Sequence, residues 1–438
     1  MMAKQWPGFC PSGRRGMTLI EMLVATTMTL IIMGVVAQLF GFVGNGVSAS
    51  RASLEVSAQL RSVAHKLRTD LGGITVETLP PVRADSDSGY LEIIEGSGTD
   101  TSLGLAQLVG DIDDVLMFTT ASHGTPFVGQ LGSASTTIES PYAEVAWFCR
   151  SAGTAADGTP LYTLHRRQLL VMNYVGAGVF HGTNTLSGVF PGTYADLGEA
   201  QNVHDLSLRR VGSSAFPNGL SDLTKRENRF LHNFTGAVSA AAFPYENTLA
   251  NLDTDGPLGG TRIGEDIVLT NVLAFDVRVF DPTAEVLEST GAGVAMTPGD
   301  PGYASGASFS SPVYGAYVDM GVASAGTFAG MNAASQLSNI TYDTWSTHYE
   351  FNGIDEDGAF GVDQQANGID DDNNGVVDDE DGNGIDDDSN GIVDDEDEQE
   401  TSPPYSYPLR GLEVRIRVYE PSSRQVRQVT VRHTFVPH

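Results

Sequence analysis

The chain has 438 residues, 24 Lys or Arg, 55 Asp or Glu and a formal net charge of −31 at pH 7. The acidity is local: residues 350–400 hold 21 acids and no Lys or Arg, and removing them leaves −10. A chain of this charge is a poor partner for nucleic acid. Its two cysteines, Cys10 and Cys149, lie in very different contexts and offer no disulfide framework.

Residues 1–16 carry Lys4, Arg14 and Arg15 and end on Gly16. From Met17 to Phe42 follow 26 residues with one charge, Glu21. About 20 apolar residues span a bilayer core, so this run predicts a membrane-crossing helix. The basic flank places the N-terminus in the cytoplasm and the bulk of the chain on the far side. A carboxylate inside such a helix costs roughly 2.5–3.5 kcal/mol on insertion scales and marks function. A secretory signal peptide has a shorter apolar core with its small-residue cleavage site behind it. A plain anchor needs neither Glu21 nor the glycine before the run.

The stretch Arg14-Arg15-Gly16-Met17-Thr18-Leu19-Ile20-Glu21-Met22-Leu23-Val24 resembles the N-terminus of type IV prepilins and type II secretion pseudopilins. The resemblance implies a leader over 1–16, cut by a prepilin peptidase between Gly16 and Met17. It also implies N-methylation of Met17 and a requirement for Glu21, five residues into the mature chain. The implied partners are the peptidase, other pilins or pseudopilins and an inner-membrane assembly platform. The implied location is the inner membrane, single-pass with a periplasmic head, or a filament at the cell surface. Cleavage would expose an amine at Met17, four residues from Glu21. The expected contact is from Glu21 to the Met17 amine of an adjacent subunit. With Cys10 in the leader, Cys149 would remain alone, and its setting in Val145–Cys149 reads as a buried structural thiol.

Residues 17–42 are thus the expected transmembrane helix and 43–74 its amphipathic continuation. Gly41, Gly44 and Gly46 weaken the helix locally. Beyond them Val56, Leu60, Val63, Leu67 and Leu71 recur at spacings that line one helical face. From about residue 75 the pattern changes to short strands between Gly, Pro, Ser and Asp. Expected strands are Tyr90–Ile94, Val115–Thr119, Ala143–Cys149, Leu161–Val171, Val203–Arg209 and Val272–Phe280. The last alternates as a half-buried strand, with Ala274, Asp276 and Arg278 on its outer side. Residues 285–340, rich in Gly, Ala and Ser, read as a surface insertion in a head spanning 75–345. Residues 403–438 read as a closing hairpin: Val414, Ile416 and Val418 run out, Pro421-Ser422-Ser423 turns, and Val429, Val431 and Phe435 return.

The order of these runs is similar to the J component of type II secretion pseudopilins and to W-type minor pilins. It takes in Asp111–Phe118, Leu161–Arg167, Gly264–Phe280 and the Arg-rich hairpin. The implied fold class is α+β: a long N-terminal helix, half in the membrane, packed on a β-rich pilin-like head. Residues 285–400 depart from that pattern.

Residues 346–402 hold Asn-Gly pairs at 352, 367, 374, 383 and 390, and Asn367–Asp381 resembles Asn383–Asp397. Each unit contains the calcium-loop pattern of alternating oxygen ligands around an invariant glycine. The first loop is Asp370, Asp372, Asn374, Val376, Asp378 and Asp381; the second is Asp386, Asp388, Asn390, Ile392, Asp394 and Asp397. Val376 and Ile392 fall where a backbone carbonyl binds, and Gly375 and Gly391 permit the bend. Alternating acids in a tight turn suit Ca²⁺, which takes 6–8 oxygen ligands. No long helix pattern flanks either loop, so the units resemble thrombospondin type 3 or dockerin repeats rather than EF-hands. The competing reading is a solvated acidic linker.

The sequence contains no nucleophile elbow, phosphate loop, H-E-x-x-H or paired C-x-x-C. His165, His181, His204, His232, His348 and His433 are scattered. The expectation is a non-enzymatic filament subunit, with a calcium-dependent adhesin on a pilus tip as the alternative.

Overall fold

The computed structural model describes residues 17–78, 82–96, 110–132, 136–174, 178–180, 193–194, 197–230, 232, 262, 264–289, 293–298, 300, 303–320, 341–344, 346–348, 408–421 and 423–435. It contains two compact units, Met1–Glu55 and Val56–His438. The chain opens on helix α1 (Leu19–Gly72), then β1 (Leu91–Ile94), β2 (Val115–Ala121), β3 (Phe127–Leu131), β4 (Thr136–Ser140), β5 (Tyr142–Thr154), β6 (Pro160–Leu170), β7 (Gly178–Phe180) and β8 (Thr193–Tyr194). It continues through α2 (Leu197–Val203), β9 (Leu208–Val211), β10 (Ser214–Pro217), α3 (Leu220–Leu223), β11 (Ile267–Glu288), β12 (Ala295–Met296), β13 (Ala307–Val318), β14 (Thr341–Asp343), β15 (Gly411–Glu420) and β16 (Gln425–Thr434). The fold class is α+β, a long N-terminal apolar helix followed by a β-rich head.

α1 is one helix of 54 residues, about 81 Å long at ~1.5 Å per residue. It runs through Gly41, Gly44 and Gly46 without a break. Among the described residues it is the helix long and apolar enough to cross a membrane. In the first unit Leu23, Ile31, Val36, Leu39 and Phe40 are exposed. The hydroxyls of Thr26, Thr27 and Thr29 donate to the carbonyls of Met22, Leu23 and Ala25 at 3.0, 2.9 and 2.7 Å. These polar groups are therefore satisfied within the helix, as an apolar solvent requires.

In the second unit the expected stripe is buried: Leu60, Val63, Leu67 and Leu71 pack on one face of the main sheet. That sheet has ten strands in the order β14-β1-β2-β5-β6-β11-β15-β16, with β12 and β13 also paired to β11. Leu91, Ile93, Leu116, Phe118, Val145 and Trp147 share the helix-side core. The alternate residues Tyr90, Ile94, Val115, Met117 and Phe148 pack on Leu220, Leu223 and Phe230. β1, β2 and β5 are thus covered on both faces. The closing hairpin has the register its alternation implies, with Val414 opposite Val431 and Ile416 opposite Val429.

Three expectations are corrected. Val203–Arg209 is not a strand: Val203 ends α2, where Leu197 and Ala200 enter a satellite core, and β9 starts at Leu208. Val272–Phe280 is not half-buried: Asp276 and Arg278, each 1 % exposed, are covered as well. The longer β11 around it is broken by an irregularity at Asn271, whose φ of 56° is left-handed. The stretch 285–340 is not all surface insertion, because β13 pairs with β11 and buries Ala316 and Val318. Residues 321–340 lie outside the described residues.

Charged groups are buried between the layers. Arg229 Nη1 sits 3.1 Å from Glu92 and 2.5 Å from Asp343, Arg226 reaches Asp343 at 3.1 Å, and His232 reaches Glu92 at 2.7 Å. Burial opposes ionisation of Glu92, but His232, Arg226 and Arg229 together hold its carboxyl well below the usual range. His165 stacks on Phe148 at 5.4 Å, and burial, with Arg150 nearby, lowers it to about 4. An unfolded histidine binds its proton near 6.5, so folding excludes that proton between about pH 6.5 and 4. The stability advantage of wild type over His165→Phe is therefore expected to shrink as pH falls through this window. Parallel melting-temperature profiles of the two proteins measure it; parallel curves would mean that His165 does not titrate with folding.

Candidate processing and assembly site

α1 begins where it does because Thr18 caps it. The Thr18 amide and hydroxyl donate to Glu21 Oε2 at 2.9 and 3.0 Å, and the Glu21 amide donates back to Thr18 Oγ1 at 3.3 Å. This is the reciprocal capping box of S/T-x-x-E, which satisfies amides that the first helical turn leaves without partners. A carboxylate there also meets the positive end of the helix dipole. Both bonds end on Oε2, and no described residue bonds Oε1.

Met17 precedes the cap and is 65 % exposed. The Glu21 carboxylate is bonded to the amide of Thr18, one residue beyond the amine that cleavage after Gly16 would create. The segment can therefore offer an amine and a carboxylate side by side on an exposed apolar helix start. Gly16 itself, like the rest of 1–16, lies outside the described residues. So do all twelve calcium-loop residues, Asp370, Asp372, Asn374, Val376, Asp378, Asp381, Asp386, Asp388, Asn390, Ile392, Asp394 and Asp397.

His181 lies outside the described residues, whereas His204, His348, His433 and the cysteine have structural surroundings. His204 accepts the Gly132 amide at 2.8 Å and pairs with the Tyr194 hydroxyl. His348 pairs with Glu227 at 3.1 Å, and His433 packs edge-on against Phe435. Cys149 is half-buried rather than buried, and desolvation pushes its thiol well up, which suits an inert thiol.

Sequence reading overlooked the capping role of Thr18, although Thr18-Leu19-Ile20-Glu21 displays it. It also overlooked Asp70, whose carboxylate takes Arg166 at 2.6 and 2.7 Å and Trp147 Nε1 at 3.1 Å. The available signal was an acid at the end of an apolar helical stripe; the partners lie 96 and 77 residues away.

Residues 11–37 match the family model described as the prokaryotic N-terminal methylation motif. Neither the curated proteins nor the solved structures give a match to the chain. The motif supports an N-terminus of the type IV pilin or pseudopilin kind, processed by prepilin peptidase and assembled with other pilins.

Proposed function

We propose that the chain is a minor subunit of a type II secretion pseudopilus or type IV pilus, with the secretion role preferred. It is cut between Gly16 and Met17, methylated at Met17 and built into the filament or its tip. The observation that carries this reading is the motif at residues 11–37, joined to an apolar helix that starts at Leu19 with Glu21 in its first turn. Assembly is the mechanism: α1 packs against sister helices, and the β-rich head sets lateral contacts. The head lies in the periplasm, and an inner-membrane assembly platform is a partner. Mass spectrometry of the chain isolated from cells is expected to show a methylated Met17 at its start. An intact leader, or trimming elsewhere, would overturn the reading.

The acidic repeat carries the second part. Ca²⁺ would bind Asp370, Asp372, Asn374, Val376, Asp378 and Asp381 in one loop. The second loop supplies Asp386, Asp388, Asn390, Ile392, Asp394 and Asp397. The 21 acids without a counter-charge in 350–400 support cation binding there. The bound segment would stiffen one face or dock a neighbour. A calcium-dependent adhesin at a pilus tip is the other use of the same residues. Deleting 350–400, which keeps β13 and β14 and their pairing with β11 and β1, separates them: loss of secretion or assembly fits the scaffold, and lost attachment with normal filaments fits the adhesin.

A further inference from the structure

β11 has two neighbours along one edge. β6 pairs with it over Ile267–Val272, and β13 pairs with it from Val279 onward. Between them the edge is met by residues 110–114. The Gly110 amide donates to the Leu273 carbonyl at 2.9 Å, and the Phe275 amide to the Asp111 carbonyl at 2.8 Å. The next amide on that edge, Val277, donates at 2.6 Å to the side chain of Asp114 rather than to a strand carbonyl. Glu95, just after β1, does the same for the start of the chain beyond β13, accepting the Met320 amide through Oε2 at 3.1 Å.

These acids converge. Glu95, Asp111 and Asp114, 3 %, 2 % and 1 % exposed, each bring a carboxylate oxygen within 4.8 Å of the other two. Glu95 Oε1 is buried and accepts no hydrogen bond. Among the described residues neither Glu95 nor Asp114 has an ion-pair partner. The nearby guanidinium of Arg278 is committed to Asp319 at 2.7 Å and lies 4.0 Å from Asp276. Asp319 Oδ2 is likewise buried without a hydrogen bond. Burial comes first and neighbouring carboxylates second in raising all three acids, Asp111 to about 8. A cluster of ionised carboxylates in a dry interior is costly unless something positive joins it.

The spacing admits one cation held by all three carboxylates. Ca²⁺–oxygen distances of about 2.3–2.6 Å put two ligands of one ion at most ~5 Å apart. The ligands are all hard oxygens, the class Ca²⁺ takes and zinc sites seldom use alone. We propose that Glu95, Asp111 and Asp114 form a buried calcium site in the head, in which the ion joins β1, the 110–114 segment and the β11 edge. The three ligands lie outside residues 346–402 in the sequence, and the site does not depend on the filament role of the chain.

Hydrogen exchange read by mass spectrometry on the full chain in detergent tests it, with EGTA compared against about 1 mM Ca²⁺, an extracellular level. Peptides covering Glu95–Gly96, Gly110–Val115 and Leu273–Val277 are expected to exchange more slowly with calcium. At ten times the dissociation constant the open fraction falls about elevenfold. Glu95→Gln keeps the shape and removes one charge. It should abolish the calcium effect in these peptides and exchange no faster than wild type in EGTA. Unchanged exchange of these peptides in wild type, protection confined to 350–400, or a full calcium effect in Glu95→Gln would each overturn the proposal. The wild-type comparison decides the matter even if the variant folds poorly.

Discussion

Glu21→Ala is expected to leave the chain in the membrane but to lower its recovery in filaments by tenfold or more. The carboxylate has two roles. As the N3 member of the capping box it helps hold the first turn. As the one charge in an apolar run it costs roughly 2.5–3.5 kcal/mol in the bilayer unless a cation meets it. An amine at Met17 of a neighbouring subunit would relieve that cost, and each ~1.4 kcal/mol so gained is tenfold in assembly. Two companions separate the roles. Glu21→Gln retains a capping acceptor and loses the charge; Thr18→Ala loses the cap and retains the charge. Sheared filaments or subunit cross-linking would measure incorporation. If charge drives assembly, Gln behaves like Ala and Thr18→Ala stays near wild type. The reverse ranking would assign Glu21 to helix capping alone.

Asp70→Ala is expected to cost the head about 3–5 kcal/mol, the usual cost of removing one member of a buried ion pair. The Asp70 and Arg166 side chains are 4 % and 5 % exposed, and the bond is double, Nε to Oδ2 and Nη2 to Oδ1. Removing the acid strands a guanidinium under α1 and takes the acceptor from Trp147 Nε1. Leu67 and Leu71 would remain packed, so the loss is electrostatic rather than hydrophobic. Replacing both partners, as Asp70→Leu with Arg166→Met, should be cheaper than either single change, because no charge is then left alone. Denaturant midpoints of the four proteins form the cycle that checks this. Additive single costs would show that the pair does not act as a unit.

Much of the molecule is written in local spacing. The apolar run from Met17, the Thr18–Glu21 cap, the stripe from Leu60 to Leu71 and the alternation of the closing hairpin all follow from neighbours a few residues apart. Periods of 3.6 and 2 report which face meets an apolar layer. They report less well whether the opposite face meets water. For that reason β11 was expected to be half-buried, and β13, with its Gly, Ala and Ser, was expected to be loop. Val203–Arg209 was expected to be strand, whereas Val203 closes a helix that buries Leu197 and Ala200 upstream, and the strand starts only at Leu208.

By itself, then, the sequence determined the membrane-length helix, its acidic first turn, the processing motif and a β-rich head closed by a hairpin. Each is a matter of short-range pattern and hydrophobicity. The tertiary structure alone decided which charges go inside: Arg229 is 137 residues from Glu92 and 114 from Asp343, and Asp114 is 163 residues from the Val277 amide it accepts. A lone acid in an apolar strand looks like an exposed position until the chain brings it a partner. Burial of a charge is set by the partner and not by the residue, and no local period records a partner so far along the chain.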